Sequence, residues 1–342
     1  MDARTPPEAR ESLGWQDEPV GVIGAFLRAP EAVVDLATFA AAFRMRTIQI
    51  RIAGGGTLVS DPLLCGRLRG ALGDLLAASA SPEARAGVPC PWSPPCAFEA
   101  LFRKQGRMRA GVDVPSPWVM AAEAEEGDLL LSLSLFGIAC EWAPAVAETL
   151  AQAAASRLVW PRGGGALLDR RLVAQDGLAI PDLGAEGAQL IAIDLDFRTP
   201  AVSGRGGEAF DPAALFTGVR HRIDGLARWH GLSVAPSHWP EVTRAVRGLD
   251  VCWINPRPLS WRRGSRRQDR WVPMSGTAGR LRLKGHSEAL APLAIVLALG
   301  EKMHVGADVA FGCGRYRMSP AVALAARASA AEDAENALEF RK

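Results

Sequence analysis

The order of alternating and amphipathic segments constrains this 342-residue chain most, because that order occurs twice. FRMRTIQIRIAGG (residues 43–55) alternates charged and apolar positions, which predicts a strand with one solvated face. A helical apolar pattern follows between residues 63 and 75. PSPWVM and then a second alternating strand at 128–137 come next, followed by an amphipathic helix at 142–158. The first half therefore predicts strands that alternate with helices.

The second half repeats this order. We predict a strand at residues 189–200 and a helix at 213–231. VCWINPRPLSWRR begins a further strand, RLRLKG (280–285) alternates again, and a last helix covers 288–303. Strand, helix, strand, strand, helix, strand is the split βαβ order. We therefore expect an α+β fold of two tandem ferredoxin-like (RRM-like, βαββαβ) domains.

Glycine and proline set the expected boundaries. PRGGG at residues 161–165 interrupts the periodic pattern, which favours a domain boundary there. The predicted division, in chain order, is an N-terminal extension (1–41), a first ferredoxin-like domain (42–165), a linker (166–188), a second ferredoxin-like domain (189–322) and a C-terminal tail (323–342).

Composition excludes several classes of protein. The longest apolar stretch, LAPLAIVLAL at 290–299, is about half of the roughly 20 residues that a membrane span needs. The N-terminus has no apolar segment like that of a signal peptide, so we expect a cytoplasmic protein without a membrane partner. Six dispersed cysteines predict free thiols. Cys90 and Cys96 could belong to a zinc site, but no histidine lies nearby and the spacing is not that of a zinc knuckle.

The basic charge is concentrated in one segment. Residues 256–284 hold nine of the 39 lysines and arginines and only one of the 37 acidic residues. The tryptophans Trp261 and Trp271 are interleaved with arginines there, which combines stacking surfaces with phosphate donors, as in single-stranded nucleic-acid sites. A solvated arginine-rich loop is the alternative. The arginines of this segment that we expect to contact nucleic acid are Arg262, Arg263, Arg266, Arg267 and Arg270.

Three glycines lie close together near the C-terminus, in GADVAFGCGRY. Gly306, Gly312 and Gly314 are followed at once by Arg315 and Tyr316. Glycine allows a positive φ or a close approach of the backbone to a ligand. A tight turn between helix and strand would need only one glycine, so the pattern favours a ligand.

The stretch GEKMHVGADVAFGCGRY (residues 300–316) resembles the glycine-rich C-terminal signature of CRISPR repeat-processing endoribonucleases of the RAMP superfamily. The chain resembles the longer members of the Cas-six endoribonuclease family within it. Three further stretches are similar to that family: GRLRGALG (66–73), DFRTP (196–200) and SWRRGSRRQDRWVPMSGTAG (260–279). In order and spacing they cover most of residues 43–320.

The resemblance implies binding of the repeat of a precursor CRISPR RNA and one cut on the 3′ side of its hairpin, without metal or other cofactor. It also implies other Cas proteins of an effector complex as partners. In such a reaction the 2′-hydroxyl attacks the adjacent phosphate, which requires a base, an acid and cations. We expect the N–H groups of Gly306, Gly312 and Gly314 to bind RNA phosphate, with Arg315 adding charge.

The chain departs from the family pattern at two places. Ala307 and Val309 stand where relatives often carry a lysine and a hydroxyl residue. Members commonly place a catalytic histidine in the first domain, whereas the first histidine here is His221. His304, at the junction of helix and loop, is therefore the histidine that we expect to transfer a proton, with a packed or RNA-contacting histidine as the alternative.

Without a working histidine, the reaction would depend on Ser60 or Tyr316 with arginines Arg67 and Arg69, which could equally be solvated helix charges. Arginine stays protonated and is a poor base, so such an enzyme should be slow.

Two other functions remain open. One is a non-cleaving subunit that holds repeat RNA in an effector complex, and the other is a protein that binds double-stranded DNA.

Overall fold

A computed structural model of the chain describes residues 20–109, 111–180, 188–202, 212–265 and 270–324. The elements of the first half are α1 (Val22–Arg28), β1 (Ala32–Val34), α2 (Leu36–Ala41), β2 (Arg44–Ile52), α3 (Leu64–Ala78), α4 (Pro82–Arg85), α5 (Ala97–Phe102), β3 (Arg107–Arg109), β4 (Val112–Asp113), β5 (Trp118–Glu125), β6 (Asp128–Phe136), α6 (Ala143–Arg157) and β7 (Leu167–Asp176). Those of the second half are β8 (Ala188–Ala201), α7 (Pro212–Trp229), β9 (Leu232–Val234), α8 (Trp239–Arg247), β10 (Asp250–Ser265), β11 (Arg270–Lys284), α9 (Ser287–Met303) and β12 (Tyr316–Leu324).

The first half is built on an antiparallel sheet of order β5-β6-β2-β7. Alternate residues of β2, among them Ile48 and Ile50, are fully buried, because successive side chains of a strand point to opposite faces. That apolar face packs in one core with the helices α3 and α6, which contribute Leu68 and Leu150. The opposite face carries polar residues such as Ser132 and Ser134.

The second half has the same topology. Its four-stranded sheet has the order β10-β11-β8-β12, and all of the pairings are antiparallel. Ile193, Leu195 and Phe197 of β8 are fully buried. They join the apolar residues of α7 and α9 in the core. Both halves therefore show the βαββαβ order of the ferredoxin-like fold, and the predicted fold class is confirmed.

The boundaries differ from those predicted. Residues 167–176, expected in a linker, form β7, which pairs with β2 along its whole length and completes the first sheet. Within the expected N-terminal extension, β1 pairs in parallel with β9 of the second half. The N-terminal segment therefore packs onto the second half. Residues 181–187 of the expected linker and 325–342 of the expected tail lie outside the described residues.

Contacts between buried polar groups join the two halves. The backbone N–H of Arg44 donates to Nε2 of His230 at 3.0 Å, while the His230 ring stacks on Phe43. Burial lowers the pKa of His230, so the ring is neutral near pH 7. Buried Arg222 of α7 donates to the carbonyl oxygen of Trp118 in the first half at 3.5 Å, and also to that of Met303 in the second half at 2.6 Å. These contacts fix the second half against the first.

Most of the basic segment lies in a long hairpin. The pairing of β10 with β11 runs from Asp250 opposite Lys284 to Ser265 opposite Arg270. The pairing of β11 with β8 begins only at Thr277. Residues 257–265 and 270–277, which we name the hairpin arm, therefore extend past the end of β8 along most of their length. The expected arginine-rich segment is a two-stranded arm in the described residues, and Arg266 and Arg267 lie outside them.

Candidate active site

A cleft of about 400 Å³ lies between the two halves. It is formed by the segment before α3, the end of β5, the end of β8, the hairpin arm and the segment 304–315 between α9 and β12, which we name the glycine loop. We name it the interdomain cleft. Its lining residues are Val59, Ser60, Asp61, Pro62, Leu64, Cys65, Ala122, Glu123, Ala124, Arg198, Thr199, Pro200, Leu259, Trp261, Phe311, Gly312, Cys313 and Arg315.

An ion pair crosses the cleft. Nη2 of Arg315 lies 2.9 Å from Oε1 of Glu123, which extends from the β5 edge of the first sheet. The backbone N–H of Arg315 donates to the hydroxyl of Thr199 at 2.9 Å, and its carbonyl oxygen accepts from the N–H of Arg198. The start of β12 is thus held against the end of β8. Because of these bonds, Arg315 faces the cleft with little backbone freedom.

Ser60 and Asp61 lie on the opposite wall, in the turn before α3. The Ser60 hydroxyl donates to the Thr57 carbonyl oxygen at 2.8 Å and its side chain is exposed. Asp61 accepts from the backbone N–H of Leu63 and lies 2.7 Å from Nη1 of Arg67. The structure therefore places predicted Ser60 in the cleft, while Arg67 is engaged by a carboxylate of the cleft wall.

The cleft cations are all paired with acidic side chains. Arg315 is paired with Glu123, and Arg198 lies 2.9 Å from Asp196. The Arg198 and Asp196 side chains are 53% and 33% exposed, and ion pairs in contact with water are worth only about 0–1 kcal/mol. A bound phosphate can therefore replace a carboxylate at these guanidinium groups at small cost.

The glycine loop is closed by its own hydrogen bonds. The N–H of Gly314 donates to the carbonyl oxygen of Pro200 at 2.8 Å, and the N–H of Gly312 donates to that of Val309 at 3.0 Å. The expectation that these two amides are free to bind phosphate is wrong, since both already have protein acceptors. The loop shapes the cleft wall without presenting these amides to it.

Steric contact explains why the loop needs several glycines. All three have φ between 73° and 83°, a region that favours glycine. A Cβ on Gly314 would lie 1.7 Å from the carbonyl oxygen of Val305, and one on Gly306 would lie 2.5 Å from that of Val202. A Cβ on Gly312 would lie 2.7 Å from Sγ of Cys65 in the first half. The glycines thus permit tight packing within the second half and, at Gly312, against the first half.

His304 and Tyr316 do not line the interdomain cleft, but they line a smaller pocket of about 250 Å³ that shares Glu123 and Arg315 with it. His304 is 4% exposed, and burial followed by the charges of Arg222 and Arg315 lowers its pKa to about 3. The Tyr316 hydroxyl donates to the Leu297 carbonyl oxygen at 2.5 Å, and burial raises its pKa well above 10. His304 is therefore held neutral and Tyr316 protonated, so the geometry does not support proton transfer by either residue.

The cysteines of the cleft are protonated thiols. Burial raises the pKa of Cys65 to about 12 and that of Cys313 to about 12. All six cysteines of the chain are free. Within the described residues, no group of three or more His, Cys, Asp and Glu side chains is placed to hold a metal ion. The acid–base groups that line the cleft are thus the carboxylates Glu123 and Asp61.

Family models match both halves of the chain. Residues 43–182 match the model of the AF_1859 family, described as an N-terminal domain. Residues 195–316 match the model of CRISPR-associated endoribonuclease Cas6. The second half of the chain therefore carries the domain of CRISPR-associated endoribonuclease Cas6.

Solved Cas6 structures resemble the chain. A Thermus thermophilus Cas6 aligns over 82% of this chain and 100% of its own, at 18% identity and a TM-score of 0.46. A product complex of the same Cas6 aligns over 81% of this chain and 99% of its own, at 18% identity and a TM-score of 0.48. A product complex of a second Cas6 aligns over the same shares of the two chains, at 19% identity and a TM-score of 0.48. No curated protein matches the sequence. None of the helices in the described ranges is long and apolar enough to cross a membrane.

Both matched regions contribute to the interdomain cleft. Glu123 belongs to the first region, whereas Arg198, Trp261 and Arg315 belong to the second. Glu123 was not predicted from the sequence, because it is one of several carboxylates near the end of β5 and nothing local distinguishes it from Glu125. Arg198 lies within the DFRTP stretch, so the resemblance to the family contained a usable signal for it.

A stack of guanidinium and aromatic groups borders the interdomain cleft. The Phe311 ring lies between Arg263 of the hairpin arm and Arg69 of α3, with the guanidinium carbons 4.4 and 4.9 Å from the ring centroid. Arg69 also lies over Phe102, at 5.4 Å. Burial lowers the pKa of Arg69. These two predicted RNA-binding arginines therefore also join the two halves.

Arg262 and Trp271 of the arm lie on the opposite face from Trp261. Arg262 is exposed and pairs across the arm with Pro273. Trp271 is 65% exposed, and Arg270 is exposed at the end of the described arm. Because alternate residues of a strand point to opposite sides, Trp261 faces the cleft while Arg262 and Trp271 face away.

Proposed function

We propose that this protein processes CRISPR precursor RNA by one metal-independent cut within the repeat, and that the cut occurs in the interdomain cleft. One observation carries the proposal: residues of both family-matched regions converge there, with Arg198 and Arg315 beside Glu123 and Trp261. Repeat RNA is the proposed ligand, and other Cas proteins of an effector complex are the proposed partners.

The reaction that fits these groups is a transesterification. The ribose 2′-oxygen attacks the adjacent phosphorus, the bond from phosphorus to the 5′-oxygen breaks, and a 2′,3′-cyclic phosphate forms. Arg315 and Arg198 are placed to stabilise the negative charge that develops at phosphorus. A stacked base on Trp261 would orient the strand.

Glu123 is the candidate base. When a phosphate binds Arg315, it competes with the Glu123 carboxylate for the guanidinium group, which frees the carboxylate to accept the proton of the 2′-hydroxyl. The leaving 5′-oxygen takes its proton from water, because the cleft is open to solvent. General acid–base help is worth roughly 10²- to 10⁴-fold. With a protein base but no protein acid, we expect slow cleavage.

The test is incubation of the purified protein with a labelled CRISPR repeat RNA in EDTA. The proposal predicts one defined cut, a 2′,3′-cyclic phosphate on the upstream product, and no cut in RNA with 2′-deoxyribose at the scissile position. Cleavage that requires added Mg²⁺, or that continues in the 2′-deoxy RNA, contradicts it.

A non-cleaving RNA-binding subunit is the second candidate. It is favoured by the observation that no histidine lines the cleft in the described part of the chain. Specific binding of the repeat without any cut in the same assay would establish this function in place of the first.

A further inference from the structure

A second pocket, of about 470 Å³, lies on the first half outside the interdomain cleft. Its apolar wall consists of Phe98 and Phe102 of α5, whose rings are stacked with centroids 5.8 Å apart and planes inclined by 6°. Arg85 of α4 and Lys104, which follows α5, also line it. We name it the Phe98 pocket. It combines flat aromatic surface with positive charge.

The cations of this pocket differ in availability. Arg103 is 8% exposed and lies 2.6 Å from Glu99, so its charge is neutralised inside the protein. Arg85 is exposed and forms no ion pair with another described residue. Lys104 pairs with Asp113, but both side chains are exposed, at 63% and 45%. Arg85 is therefore free to bind an anion, and Lys104 can exchange its partner at small cost.

Side-chain contacts connect the Phe98 pocket to the wall of the interdomain cleft. Phe102 of the pocket is in contact with the Arg69 guanidinium, which in turn contacts Phe311 in the cleft wall. Two guanidinium–ring contacts thus link the two sites. A strand that leaves the cleft along this line would pass over aromatic and basic groups throughout.

We propose that the Phe98 pocket binds an unpaired nucleotide of the RNA, next to the nucleotides held in the cleft. The base stacks on the phenylalanine rings, and the phosphates contact Arg85 and Lys104. This inference rests on the proposed function, since it names a second subsite for the same substrate. Stacked aromatic residues beside basic ones bind single strands with little sequence preference, because every base has a flat face.

The charges are tested by the salt dependence of binding. The RNA carries 2′-deoxyribose at the scissile position, so the measurement does not require cleavage. For Arg85→Ala with Lys104→Ala, we expect weaker binding and a slope of log K against log salt that is smaller by about 1.4, for two lost single-strand contacts. Arg157→Ala, at the end of α6, is the control and keeps the wild-type slope. A wild-type slope in the double variant overturns the proposal.

The stacking is tested by RNAs with one abasic position each. An abasic residue at one position outside the cut site should reduce the affinity of the wild-type protein for the RNA roughly 5- to 140-fold. In Phe98→Leu that loss should shrink, whereas the control Phe26→Leu should retain it, with thermal unfolding confirming that both variants fold. An unchanged loss in Phe98→Leu overturns the proposal.

The two proposals fail separately. If the EDTA assay shows no cut but these variants weaken binding, the pocket stands and the cleavage proposal falls. If the protein cuts the repeat while both variants bind like wild type, the pocket falls alone.

Discussion

Arg315, the residue before β12, and Glu123, near the end of β5, form an ion pair across the cleft, with 2.9 Å between Nη2 and Oε1. The two residues belong to different halves of the chain. Their side chains are 17% and 39% exposed, so water and a ligand can reach the pair. The pair therefore places a guanidinium group and a carboxylate at the same point of the cleft.

Arg315→Ala should weaken the binding of non-cleavable repeat RNA and reduce its salt slope by about 0.7, since one single-strand phosphate contact is lost. Arg157→Ala, far along the chain on α6, is the control. Titrations at several salt concentrations measure the slope, and an unchanged slope would remove Arg315 from the RNA interface.

Trp261→Ala should cost RNA binding about 1–3 kcal/mol, the usual value of one base stacked on an aromatic ring. Trp271→Ala is the matched control, because Trp271 lies on the opposite face of the same arm and is 65% exposed. Trp271→Ala should have the smaller effect. Equal losses in the two variants would contradict the assignment of the cleft face.

Gly314→Ala should destabilise the fold by more than about 3 kcal/mol, because its Cβ would overlap the carbonyl oxygen of Val305 in addition to the cost of a positive φ. Gly127→Ala is the control, since Gly127 has φ 86° with open space around its Cβ position and should cost only about 1–2 kcal/mol. Urea unfolding measures both. Similar losses would argue that the loop is free of steric packing.

His304 should make the protein acid-sensitive. The pKa of His304 is about 3 in the folded protein and 6.5 in the unfolded chain, where the ring is solvated. Between these two pH values the unfolded chain therefore binds more protons than the folded protein. The free energy of unfolding should therefore fall as pH drops below 6.5, by at most about 1.4 kcal/mol per pH unit from this group. The His304→Asn variant, measured by urea unfolding between pH 7.5 and 5, should show a shallower dependence. The same dependence in both proteins would contradict the burial of a neutral ring.

The fold was predictable where burial follows a local period. β2, β6 and β8 alternate because one face of each strand packs on helices, and the order of elements then defined both domains. β7 was not predicted, since this edge strand is exposed on both faces over most of its length and its sequence, LLDRRLVAQD, carries no alternation.

The site was predictable only in part. Ser60, Trp261, Gly312 and Arg315 do line one cleft. The special backbone of the glycine loop was also predicted, but its cause was not, because Val202 and Val305 supply the contacts that exclude a Cβ and no local pattern shows them. Glu123 was missed for the same reason, since its partner lies in the other half of the chain.

The measurement that tests the cleft most directly is the single-turnover rate of repeat cleavage in EDTA by Glu123→Gln. Glu125→Gln is the control, because Glu125 lies on the same strand and pairs with Arg51 outside the cleft. If the chemistry occurs between the halves with Glu123 as base, Glu123→Gln cleaves roughly 10²- to 10⁴-fold more slowly with RNA affinity retained, while Glu125→Gln cleaves at the wild-type rate. Equal rates in the two variants would contradict this account.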